Sequence, residues 1–97
     1  MDDDYFENEE AHELPINGIL DLHFFQPKEV KDLVPDYIEA CLEKEIYQLR
    51  IIHGKGTGTL RRLVHSILEK HPDVEAFYLG TGTGNWGATS VDLRKRS

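Results

Sequence analysis

The sequence predicts an α/β domain, a two-layer sandwich whose mixed four-stranded sheet is built in βαβαββ order. Two amphipathic helical patterns alternate with short apolar segments, which is typical of parallel strands joined by crossover helices. A glycine-rich stretch without a helix joins the last two apolar segments, which predicts a direct turn between them. The 97 residues, 39% of them hydrophobic, suit one core and therefore one domain, expected over residues 14–97.

The first strand and the first helix are predicted in the segment that follows the N-terminal tail. "NGILDLHFF", residues 17–25, has the apolar run of a buried strand, and its period of two directs Asp21 and His23 to one face. From Pro27 to residue 42, apolar side chains recur at the spacing of an amphipathic helix. Because Pro35 cannot donate a backbone hydrogen bond, we expect a kink or a helix restart there.

The second half of the chain supplies the remaining elements. These are a strand over 48–53, a helix that begins near Thr59 and ends near His71, and strands over 74–80 and 88–93. The predicted sheet therefore has two strands that end in histidines, because "LDLH" closes the first and "RIIH" the second.

Composition narrows the cellular setting. The single cysteine, Cys41, cannot form an internal disulfide and falls on the apolar stripe of the first helix, so we expect it in the core of a reduced, cytoplasmic protein. No apolar run approaches the roughly 18 residues of a membrane span, so no membrane partner is expected.

The charge is unevenly distributed. The formal net charge is −7, yet residues 1–13 hold seven acids and no Lys or Arg, so residues 14–97 are balanced at eleven acids and eleven bases. We expect residues 1–13 to be an acidic, disordered tail, which either solvates the chain or competes with phosphates for basic side chains. Residues 50–70 contain five basic residues and one acidic residue. That local excess keeps a nucleic-acid partner, DNA or RNA, among the candidates.

A glycine cluster marks the junction between the second strand and the second helix. "HGKGTGT", residues 53–59, leads into the helix start, where unpaired N–H groups attract anions and glycines allow a close approach. The predicted phosphate ligands are Gly54, Lys55, Gly56, Thr57, Gly58, Arg61 and Arg62. The alternative is that the glycines only make a tight connection. In the second glycine stretch, Trp86 either stacks on a base or packs against its own loop.

The histidines at the strand ends are the candidate catalytic groups, and the alternative for each one alone is a capping or core role. In a parallel sheet His23 and His53 would lie at the same carboxyl edge, where open α/β sheets bind ligands, and Asp21 can fix the tautomer of His23. Two imidazoles could then transfer the protons of phosphodiester cleavage while the glycine loop holds the phosphate. RNA supplies its own 2′-hydroxyl, whereas DNA needs an activated water or a divalent ion, Mg²⁺ or Mn²⁺, on Asp21 and the histidines. The sequence does not distinguish RNA from DNA as the substrate.

These motifs resemble the Smr domain, the small MutS-related family found at the C-terminus of MutS2. "LDLH" at 20–23 resembles its first motif, "HGKG" and "TGTLR" at 53–61 its second, and "GNWGATSVDL" at 84–93 its glycine-rich close. Phe24 departs from the pattern, because many members have glycine after the first-motif histidine; the phenyl ring would narrow the cleft or redirect the backbone.

The resemblance implies a fold similar to the C-terminal domain of bacterial translation initiation factor three. It also implies nucleic-acid binding with DNA nicking or structure-selective endonuclease activity in repair, recombination or RNA quality control, carried by Asp21, His23 and His53 with Arg61 nearby. The alternative is a non-catalytic DNA- or RNA-binding adaptor that acts with the ribosome or with repair proteins.

Overall fold

The computed structural model describes residues 15–54, 58–80 and 87–95, and the predicted acidic tail lies outside this range. The elements are β1 (Ile19–Asp21), α1 (Pro27–Glu43), β2 (Gln48–Ile52), α2 (Thr59–Lys70), β3 (Val74–Leu79) and β4 (Ala88–Leu93). This is the predicted βαβαββ order. The predicted first strand is too long at both ends, because an Asx-type turn at Asn17 and a second turn after Leu22 frame it.

The sheet is mixed, with the strand order β1-β2-β4-β3. β1 runs parallel to β2, while β4 lies between β2 and β3 and is antiparallel to both. The final two strands therefore pair directly, as the absence of a helical pattern between them predicts. This confirms the mixed four-stranded α/β fold.

Strand parity separates a buried face from an open face of the sheet. Leu20 and Leu22, Leu49 and Ile51, and Val91 and Leu93 alternate with more exposed residues and share one core with both helices. The helices also pack against each other. Asp21, by contrast, has the parity of the open face.

The first helix is continuous from Pro27 to Glu43, so the predicted restart at Pro35 is wrong. The Glu29 carboxylate accepts the backbone N–H of Gln26 at 2.7 Å, which caps the helix start. Burial of the stripe that includes Val34, Ile38 and Cys41 offsets the loss of one backbone hydrogen bond at the proline. Among the helices of the described ranges, none is long and apolar enough to cross a membrane.

Candidate active site

The parallel pairing of β1 and β2 brings the two sequence motifs to one edge of the sheet. Asp21 lies opposite Ile52, and the Leu22 N–H donates to the Ile52 carbonyl at 2.9 Å. His23 lies two positions after Asp21, and Gly54 lies two positions after Ile52. The predicted meeting of the first and second motifs at the carboxyl edge is therefore confirmed at the level of the backbone.

Asp21 and His23 form an exposed pair. One carboxylate oxygen of Asp21 accepts the backbone N–H of His23 at 3.0 Å and lies 2.6 Å from Nδ1 of the same residue. The side chains are 54% and 58% exposed, respectively. The backbone N–H of His23, followed by its imidazole, holds the pKa of Asp21 below its ordinary value, so the carboxyl is ionised at neutral pH.

The ionised carboxylate sets the tautomer of His23. Because a carboxylate only accepts hydrogen bonds, Nδ1 of His23 carries the proton and Nε2 carries the lone pair. Within the described residues, Nε2 has no hydrogen-bond partner. The pair therefore presents an oriented proton acceptor to solvent.

His53 is in a different environment, because it has the parity of Leu49 and Ile51 and points to the buried side of the sheet. It is 6% exposed. Its Nδ1 lies 3.0 Å from the Gly54 carbonyl, and its Nε2 lies 2.8 Å from Oγ1 of Thr89. Both ring nitrogens are thus engaged inside the protein. The predicted proton-transfer role therefore has no open nitrogen of His53 in this arrangement.

Thr89 links His53 to a third histidine. Nε2 of His65 lies 2.7 Å from the same Oγ1, and the two imidazoles meet edge to face with centroids 6.1 Å apart. The Gly54 carbonyl can only accept, so Nδ1 of His53 donates to it and Nε2 accepts the single hydroxyl proton of Thr89. Thr89 Oγ1 must then accept from Nε2–H of His65. Every proton in this chain of hydrogen bonds has one consistent position.

Burial keeps both imidazoles neutral. Desolvation lowers the pKa of His53, and the positive charge of Arg61 lowers it further against the opposing effect of the Gly54 carbonyl. Desolvation also lowers the pKa of His65, with His53 and Arg61 acting in the same direction. Protonation of either ring would add a charge beside a guanidinium and disrupt the network.

Thr89 and His65 join His53 in this network and were not selected from the sequence, yet one signal was present. Thr89 shares the parity of Val91 and Leu93, so a hydroxyl was to be expected on the buried face of β4. A buried hydroxyl requires a partner, and a histidine beside the apolar stripe of α2 can supply it. His65 also packs against Phe77, with ring centroids 5.0 Å apart.

Gly54 is held by hydrogen bonds of its own backbone. Its N–H donates to the Gly87 carbonyl at 2.8 Å, and the N–H of His53 donates to the same oxygen at 2.8 Å. Because this N–H is already engaged, Gly54 has none to offer a phosphate, contrary to the sequence-based expectation. The Gly54 carbonyl is engaged by His53. Its φ of +80° favours glycine, and its backbone joins the first glycine segment to the end of the second.

Two guanidinium groups meet over Gly58, the residue that precedes α2. A Cβ placed on Gly58 would lie 3.1 Å from one terminal nitrogen of Arg61 and 3.2 Å from one of Arg62. The φ of Gly58 is +87°, and the first turn of α2 carries no acidic side chain. Neither arginine forms an ion pair with a carboxylate in the described part of the chain. Two cations therefore share the positive end of a helix, where an anion would be stabilised.

Four of the predicted ligands lie outside the described residues: Lys55, Gly56, Thr57 and Trp86. Their predicted contacts with phosphate or base stay predictions.

The residues present do not by themselves form a metal centre. Within residues 15–54, 58–80 and 87–95, no three carboxylate, imidazole or thiolate groups are placed to hold one ion. Asp21 and His23 supply two donors, and the buried nitrogens of His53 are occupied by hydrogen bonds. No step of the proposed mechanism is therefore routed through Mg²⁺ or Mn²⁺.

A cavity of about 570 Å³ lies elsewhere, on the open face of the sheet. Its lining includes Arg50, Tyr78 and Asp92 but none of the predicted site residues that the structure describes. The Tyr78 hydroxyl donates to Asp92 at 2.8 Å, which uses part of this polar surface. We place the candidate site at the strand edge because its arginines, helix start and exposed histidine match phosphate chemistry.

The fold and the site define a small α/β domain in which an Asp–His pair follows one strand and the neighbouring parallel strand precedes a helix start that carries two arginines. The chain belongs to the Smr domain family, whose model matches residues 20–94. It is 44% identical to the endonuclease MutS2 of Caldicellulosiruptor saccharolyticus over 62 residues. This aligned segment is 63% of this chain and 8% of that protein. With the endonuclease MutS2 of Halothermothrix orenii it is 35% identical over 80 residues, which is 81% of this chain and 10% of the relative.

Two solved structures share the fold. The Smr domain of Thermus thermophilus MutS2 matches with a TM-score of 0.75 and 32% identity, covering 80% of this chain and 99% of that one. YdaL, a stand-alone small MutS-related protein from Escherichia coli, also matches with a TM-score of 0.75. Its sequence identity is 28%, and the match covers 89% of this chain and 71% of the YdaL chain. This chain thus corresponds to the Smr domain of the MutS2 relatives and spans a tenth or less of their length.

Proposed function

We propose that this Smr domain binds DNA or RNA at the carboxyl edge of its sheet and cleaves a phosphodiester bond there. The observation that carries the proposal is the exposed Asp21–His23 pair at the strand end adjacent to the glycine junction, with Arg61 and Arg62 gathered at the following helix start. The endonuclease names of the MutS2 relatives support the same reaction class.

Phosphate binding is assigned to the start of α2. The two guanidinium groups and the partial positive charge of the helix end favour an anion, and each arginine can form paired hydrogen bonds with phosphate oxygens. An incoming phosphate would also relieve the repulsion between the two cations. Gly54 anchors the base of the loop and does not donate a hydrogen bond to the phosphate.

Proton transfer is assigned to Nε2 of His23. On RNA, Nε2 takes the proton of the 2′-hydroxyl, the 2′-oxygen forms a bond to phosphorus, and the bond to the 5′-oxygen breaks. The leaving oxygen takes its proton from water or from the imidazolium that has just formed. On DNA, Nε2 takes a proton from water while the water oxygen forms a bond to phosphorus. The bond from phosphorus to one sugar oxygen breaks, and that leaving oxygen takes its proton from water or from the imidazolium. Asp21 holds the ring in the required tautomer and stabilises the imidazolium.

His53, Thr89 and His65 act as the support of the loop. The hydrogen bond from Nδ1 of His53 fixes the Gly54 peptide, and the Thr89 hydroxyl fixes the ring of His53. A rigid loop base matters for this reaction because a displacement of about 1 Å in a bound phosphate can cost 100-fold in rate.

The buried state of His53 also favours a second candidate function, a binding-only adaptor that acts with the ribosome or with repair proteins. Only one of the two expected imidazoles is open, so the acid and the base of the reaction cannot be two histidines of this site. If one open imidazole does not suffice for both proton transfers, the same phosphate cradle would bind nucleic acid without cutting it.

A substrate panel separates the two candidates. Purified protein is incubated with supercoiled plasmid, branched DNA and structured RNA, with and without a chelator, beside the His23→Ala and His71→Ala variants. His71 follows α2 and serves as the matched control. The nuclease proposal predicts cutting by the protein and by His71→Ala, and strongly reduced cutting by His23→Ala. Binding without cutting would establish the adaptor, and equal cutting by all three would point to a contaminant.

A further inference from the structure

The turn that carries His23 projects two side chains from a rigid base. The Phe25 N–H donates to the Leu22 carbonyl at 3.1 Å, which closes a four-residue turn. Leu22 is fully buried and Phe25 packs against the core, so both ends of the turn are fixed. His23 and Phe24 occupy the two central positions.

Phe24 is 96% exposed, the most exposed large hydrophobic side chain in the described ranges, where Ile19 and Tyr78 follow at about half. Core packing does not account for this phenyl ring. Nor does Phe24 have a positive φ, so its backbone is not in the left-handed region that favours glycine. The ring therefore projects into solvent.

The ring is placed next to the candidate catalytic imidazole. Its centroid lies 6.5 Å from that of His23, with the two planes inclined by 53°. This separation is comparable with the distance between a phosphate and the base of the same nucleotide. Because the rings are not stacked on each other, the phenyl faces are open to a third ring.

We propose that Phe24 stacks on a nucleotide base beside the phosphate at which His23 acts as proton acceptor, and so selects unpaired nucleotides. Bases within a duplex are stacked on their neighbours and cannot reach an exposed phenyl ring, whereas a single strand can rotate a base onto it. The inference rests on the proposed function and names its substrate class: single-stranded DNA or RNA, or the unpaired part of a branched or looped substrate.

The test is a comparison of binding to a fluorescent 12-nucleotide single strand and to its duplex, measured by anisotropy. Phe24→Leu keeps apolar bulk but removes the aromatic face, and Phe24→Tyr restores that face. Tyr78→Leu is the matched control, because it removes an exposed aromatic ring from β3, the strand at the opposite edge of the sheet.

Phe24→Leu should weaken single-strand binding roughly 5- to 100-fold, the range expected for one stacked base. Its duplex affinity should stay within about twofold of the original, and Phe24→Tyr and Tyr78→Leu should bind the single strand normally. Unchanged single-strand binding by Phe24→Leu would overturn the inference and leave the ring as a contact for a protein partner. An equal loss on duplex and single strand would overturn it as well. If the unaltered protein binds neither nucleic acid, the proposed function itself fails.

Discussion

Replacing Thr89 with valine tests the hydrogen-bond network under the glycine loop. Valine matches threonine in shape and suits a buried strand position, so a site that is merely apolar would accept it at no cost. In this structure the hydroxyl of Thr89, which is 0% exposed, donates to one imidazole and accepts from another. Thr89→Val leaves the nearly buried Nε2 of His53 without a donor, at a cost of about 1–3 kcal/mol. The substitution also removes the hydrogen bond between His65 and Thr89, which water partly replaces because His65 is half-buried. We therefore expect Thr89→Val to lower the free energy of unfolding by about 2 kcal/mol in total.

Urea unfolding at pH 7.5 measures this change, and the matched control is Thr89→Ser. Serine keeps the hydroxyl and loses one buried methyl group, at about 1 kcal/mol. The network therefore predicts that the free energy of unfolding falls in the order threonine, serine, valine. An apolar site predicts the reverse order for the two variants. A valine variant as stable as the original protein, or more stable than the serine variant, would refute the network.

Three further predictions follow from the same geometry. Because His53 and His65 have lowered pKa values in the folded state, the unfolded chain binds protons first; stability should be full above about pH 6.5 and fall below it, by up to about 2.7 kcal/mol per pH unit, and urea titrations showing no loss between pH 7.5 and 5.5 would contradict this. Arg61→Ala should weaken nucleic-acid binding and lower the slope of log affinity against log salt by about 1, whereas Lys70→Ala at the far end of α2 should change neither; equal slopes for both variants would remove Arg61 from the phosphate site. Gly58→Ala should lose about 1–2 kcal/mol of stability because its φ is +87°, and it should also reduce phosphate affinity by displacing the guanidinium groups; a thermal melt unchanged from that of the original protein would exclude the left-handed conformation.

The order and type of all six elements could be predicted because each has a clear apolar period. The α2 start at Thr59 was predicted correctly from the glycines before it, and the β4 bounds from the alternation after Trp86. The first strand was predicted too long because apolar residues recur along "NGILDLHFF" as far as Phe25, and periodicity does not show where turns at either end remove residues from the ladder. Pro35 was expected to interrupt a helix that packing instead holds together.

The site was predicted in part. Asp21 and His23 do share a face, and the first and second motifs do meet at one edge. The pairing of His23 with His53 as the two proton-transfer groups was expected because both close a strand, but the period of two already places His53 with the buried Leu49 and Ile51. The partners of His53 could not be found from spacing alone, because Thr89 lies 36 residues away and contacts it only once β4 inserts beside β2.

The most direct test of the central claim is the single-turnover rate of phosphodiester cleavage under saturating protein, which separates the chemical step from binding. His23→Ala should lower that rate roughly 100-fold or more through loss of the proton acceptor, with nucleic-acid affinity within about threefold of the original. His71→Ala should cleave at the original rate. A His23→Ala variant that cleaves as fast as the unaltered protein would contradict the assignment of Nε2 as the group that starts the reaction.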